Sequence, residues 1–128
     1  MSSTTRLLLF GAALVVLYDA AASGLCRLSG IPYKNFTAGS LVIYFTIGVI
    51  ASRWQVNSVI AGAVAGFTEA TLGWLISAAI GPGRPTRPLT ISLAIIVIFS
   101  VTLSAVLLAA FGYFAESRIL YRLWPSKS

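Results

Sequence analysis

The stretch Ile60-Ala61-Gly62-Ala63-Val64-Ala65-Gly66-Phe67-Thr68-Glu69-Ala70-Thr71-Leu72-Gly73-Trp74 is apolar enough to cross a bilayer, yet it holds a carboxylate in its middle. Gly62 and Gly66 form a GxxxG pair, which lets a neighbouring helix backbone approach closely. Steps of three and four residues lead on to Glu69 and Gly73. On a regular helix these four positions share one face. The acid is therefore expected on the close-contact face and not toward lipid.

Composition widens that reading to the whole chain. Of 128 residues, 58% are hydrophobic and only 9% charged, with a mean hydropathy of +0.92. A soluble domain carries about 25% charged residues, and no soluble core of this size buries so much apolar surface. An integral membrane protein is expected. With no His and one Cys, Cys26, the chain lacks the common ligands for haem iron, zinc and copper. The three acids, Asp19, Glu69 and Glu116, do not make a divalent-metal cage. No cofactor and no metal are expected. Net charge is +6, but the basic residues sit where helices leave the membrane, so nucleic acid is not an expected partner.

Outward from the quoted stretch, breakers divide the chain into four apolar runs. They cover about 7–26, 36–52, 56–80 and 89–114, each close to the roughly 20 residues a span needs. Gly30 and Pro32 mark the first turn, and Arg53, Trp54 and Gln55 a tight second one. Gly81, Pro82, Gly83, Pro85 and Pro88 end the third span. Residues 115–128 mix Glu116, Arg118, Arg122 and Lys127 with Ile119, Leu120, Leu123 and Trp124. They read as an amphipathic juxtamembrane tail; the alternative is a fourth helix that simply continues. The fold class is all-α: one transmembrane domain, an antiparallel bundle of four helices.

Asp19 lies twelve residues after Leu7, and Glu69 twelve after Asn57. The first and third helices run in one direction, so both acids sit roughly 18 Å from the same membrane face. A charge there costs at least about 2.5 kcal/mol, so the acids are expected protonated, hydrogen-bonded or sharing a proton. Tyr18, Tyr44, Thr68, Thr71 and Thr46 are candidate donors, and Arg27, two turns after Asp19, is placed to reach inward. Asp19, Glu69, Thr68, Tyr18 and Tyr44 form the candidate proton, cation or polar-pocket site. Gly62, Gly66, Gly73, Ser100 and Ser104 are expected at tight helix contacts.

Orientation is weakly marked. Termini inside places Arg6, Arg53, Arg118, Arg122 and Lys127 in the cytoplasm and Arg27, Lys34, Arg84 and Arg87 outside. The expected location is a prokaryotic plasma membrane with both termini cytoplasmic; near-balance also permits dual topology. The segment Gly48-Val49-Ile50-Ala51-Ser52-Arg53, followed by Ala61-Gly62-Ala63-Val64-Ala65-Gly66, resembles a glycine pattern in small uncharacterised four-span prokaryotic membrane proteins. That resemblance implies four spans and no activity.

Two functions compete. The first is a structural or accessory subunit that packs against a second copy or another membrane protein. The second is a minimal proton- or cation-coupled transporter or channel using Asp19 and Glu69, which needs a second copy to complete a path. An enzyme is not expected, because no nucleophile–base pair or nucleotide motif occurs.

Overall fold

The computed structural model describes residues 2–81 and 90–123. It is all-α, and the four helices expected from the apolar runs are present: Ser3–Ser29, Lys34–Arg53, Ser58–Ile80 and Ile91–Ile119. Each is long and apolar enough to cross a membrane. The arrangement is that of a multi-pass membrane helix bundle.

Local chemistry sets the boundaries. Helix α1, Ser3–Ser29, starts where Ser2 accepts from the Thr5 amide and stops at Gly30, whose φ of 75° is left-handed. A short 3₁₀ turn, Tyr33–Phe36, leads directly into α2, Thr37–Arg53. The tight turn after α2 is made by two caps placed back to back. Gln55 is left-handed (φ 55°), and the Val56 amide reaches back to the Ala51 carbonyl at 2.8 Å. Asn57 then caps α3, Ser58–Thr68, by accepting from Val59 and Ile60. A glycine suits Gln55's conformation better, so Gln55→Gly is expected to raise stability by about 0.5–1 kcal/mol. A lower unfolding midpoint in detergent would contradict this.

The third span is not one regular helix. A π turn, Glu69–Gly73, separates α3 from α4, Trp74–Ile80. Thr68 and Thr71 donate their hydroxyls to the carbonyls of Val64 and Phe67, both at 2.7 Å. Those carbonyls are the ones their own amides use in a regular helix, and this competition favours the wider turn. The fourth span is α5, Ile91–Ala115, capped by Thr90, followed by a second π turn, Glu116–Leu120, and a last turn α6, Tyr121–Leu123. As far as Leu123 the chain stays helical, through this π turn and the last turn. Glu116 is buried because it meets Arg53, and this holds the start of the expected tail against α2. Most of the proline turn, with Arg84 and Arg87, lies outside the described residues, as do Trp124 and Lys127.

Consecutive helices are antiparallel, and α5 runs parallel to α2, since Arg53 at the end of α2 meets Glu116 just past the end of α5. The pair α2 and α3 forms the centre. Helix α1 packs on one side of it and α5 on the other, and among the described residues the backbones of α1 and α5 do not come close. The seam with α5 is built from backbone. A Cβ on Gly48 would overlap the Ala109 carbonyl, and one on Gly112 the Phe45 carbonyl. Gly62 and Gly66 meet Ala105, Ala109 and Thr102 in the same way. On the other side, Leu7, Val15, Tyr44, Ile47, Ala61 and Ala65 form the apolar core.

The expectation that Gly62, Gly66, Glu69 and Gly73 share one face is corrected here. Gly62 and Gly66 face α5, whereas Gly73 faces Asp19 on α1. The π turn takes an extra residue, which shifts the face by about 100°. Ser100 and Ser104 are also corrected. Both are exposed, and Ser104 donates to the Ser100 carbonyl at 2.8 Å. The close contacts of α5 fall instead on Ala105, Ala109 and Gly112, all buried.

Candidate functional site

The π turn and the divergence of α5 from α2 create a cavity of about 350 Å³. Gly48 and Gly112 clamp α2 to α5 at one end. Beyond that clamp, toward the start of both helices, the two separate. Asp19 from α1 and Glu69 from the π turn both line the space between them. The two acids expected to share a site thus border one cavity.

Each acid is positioned by a small neighbour. Asp19 is 2% exposed and lies directly against Gly73, where a Cβ would overlap its Oδ2. Glu69 Oε1 accepts from Ser40 of α2 at 2.6 Å, while its buried Oε2 has no hydrogen-bond partner within the protein. Ser40 escaped the sequence reading. Its signal is the helical spacing of Ser40, Tyr44, Ile47 and Ala51, which form the buried stripe of α2.

The other expected donors divide. Tyr44 lines the cavity, is 2% exposed, and its hydroxyl lacks a partner within the protein. Tyr18 donates to the Phe36 carbonyl and so ties α1 to the start of α2. Gly39 makes room for its ring. Thr68, Thr71 and Thr46 do not serve the acids, because each hydroxyl bonds the carbonyl four residues back in its own helix. Arg27 does not turn inward to Asp19. It donates to the Ile80 carbonyl at 3.1 Å, where it caps the end of α4. Trp74 lines the cavity, while Phe67 is exposed elsewhere.

The third acid, Glu116, is buried at the other end of the bundle. Arg53 Nε stands 2.8 Å from Glu116 Oε1, and Glu116 is 1% exposed. Neither Glu116 oxygen makes a hydrogen bond of good geometry, so attraction between the charges carries the contact. Arg53→Gln is expected to cost on the order of 2 kcal/mol, a low value for a buried pair because Arg53 is partly exposed. Glu116→Gln is expected to cost less, and the double variant to recover part of the loss. A double-mutant cycle on thermal unfolding checks this; additive losses would refute the coupling.

Among the described residues no group of three or more acidic, Cys or His side chains could hold a metal ion. No protein-family model matches the chain, and searches of curated proteins and solved structures return no match.

Proposed function

We propose that this protein is a small proton- or cation-coupled membrane transport protein in which Asp19 and Glu69 form the coupling site. One observation carries the reading: carboxyls from two different spans line a single cavity, and among the described residues no Lys or Arg lines it. Structural glue needs no cavity, and a protonated acid that merely joins two helices fills its contact. Here Glu69 keeps one buried oxygen unpartnered beside open volume.

The accessory-subunit reading rests in part on a GxxxG pair available to a partner. Gly62 and Gly66 are instead covered by α5 of the same chain. Four helices enclose only a one-sided cavity, so a complete path is proposed to need a second copy, with both termini on the cytoplasmic side. The test is dissipation of a pH gradient by proteoliposomes. Flux above that of empty vesicles is expected; parent protein that leaves the gradient intact, with and without added cations, ends the proposal.

A further inference from the structure

We infer that the cavity between α2 and α5 takes a lipophilic organic monocation that enters sideways, past Leu41 and Val97. The inference rests on the proton- and cation-handling reading of the same two acids and names the substrate class.

Four features of the site specify the ligand. Its volume, about 350 Å³, falls within the range of small-molecule pockets and far exceeds what a bare ion needs. Its walls are mostly apolar, with Leu41, Val97 and Val101 opposite the acids. The rings of Tyr44 and Trp74 line it, and such faces attract a cation. Among the described residues the carboxyls lining it are Asp19 and Glu69, in a chain whose net charge is +6. The buried Tyr44 hydroxyl, without a partner in the protein, offers a further oxygen to the ligand.

The way in follows from what is closed. Gly66 against Thr102 and Ala105 seals the α3 side, and the clamp of Gly48 on Ala109 seals one end. The exposed lining residues are Thr37, Leu41, Val97, Ser100 and Ser104; Leu41 and Val97, 41% and 42% exposed, are the apolar members and mark the lateral way in. Exposed apolar side chains within spans face acyl chains, where a lipophilic cation concentrates and a hydrated metal ion does not.

Charge balance fixes the coupling. Asp19, Glu69 and Tyr44 are the titratable side chains lining the cavity; α5 contributes none. In the proposed exchange a monocation enters as one carboxyl of the site gives its proton to water. The site keeps its net charge, and no bond other than the O–H is broken.

The experiment uses the full chain in detergent, titrated with benzyltrimethylammonium and with its neutral isostere neopentylbenzene. Calorimetry in buffers of different ionisation enthalpy counts protons. The ammonium ion is expected to bind at least about tenfold tighter than the isostere and to release about one proton. Asp19→Asn and Glu69→Gln are each expected to weaken it at least about tenfold. Leu41→Trp, at an exposed rim position, is expected to weaken it about fivefold or more. Equal binding of ion and isostere overturns the substrate class, as does unchanged binding by either acid variant. Proton flux without ammonium binding also overturns it, yet leaves the proton-handling reading standing; absence of both ends both.

Discussion

Glu69→Gln and Asp19→Asn are each expected to lower proteoliposome proton flux at least about tenfold, with the fold intact. The amide keeps the volume of the acid, and in Glu69→Gln the Oε1 still accepts from Ser40. What it loses is the proton that a carboxyl takes up and releases. Folding is monitored by thermal unfolding in the same detergent, where a change within about 1 kcal/mol is expected. Gly73→Ala makes the same point without touching a titratable group. Its Cβ overlaps Asp19 Oδ2, so the carboxyl must move. Flux is expected to fall, with a stability loss of roughly 1–3 kcal/mol. Both acid variants carrying protons at the parental rate would refute the site.

The second large effect is on assembly of the bundle. Gly48→Ala is expected to destabilise the protein by roughly 1–3 kcal/mol or more. The added methyl would occupy the position of the Ala109 carbonyl oxygen, a backbone atom that no rotamer change removes. Helices α2 and α5 must separate, and every contact along the Gly48–Gly112 clamp loosens with them. Gly24→Ala is the control in the same protein. A Cβ there meets nothing within 4 Å, and replacing a helical glycine by alanine gains about 0.5–1 kcal/mol. The unfolding midpoints are therefore expected on opposite sides of the parent. A Gly48→Ala midpoint at or above the parent would mean that the seam is not close-packed.

Much of the site was legible before any coordinates. Asp19 and Glu69 stand out because a carboxyl inside an apolar run is costly and must be accommodated. A common level for them was an expectation from helix rise alone. Their surroundings were less accessible. Thr68 was one candidate donor to Glu69, yet a threonine inside a helix satisfies itself on the carbonyl one turn back. Ser40, distant in sequence, holds that role. Glu116 and Arg53 each looked like an interfacial charge; only the parallel arrangement of α2 and α5 pairs them.

The residues themselves determined four membrane-crossing helices, where they end, and which polar groups lie within them. Those properties are local: run length, breakers and caps act over a turn or two. The tertiary structure alone decided which faces meet, that Gly73 turns to α1 while Gly66 stays on α5, and that a cavity opens beside the acids. The reason is physical. In lipid an apolar side chain gains nothing from facing inward, so α5, apolar all round, carries no pattern that marks its buried side. Its partners are chosen by close backbone approach at Ala105, Ala109 and Gly112, and by the one-residue shift of the π turn opposite.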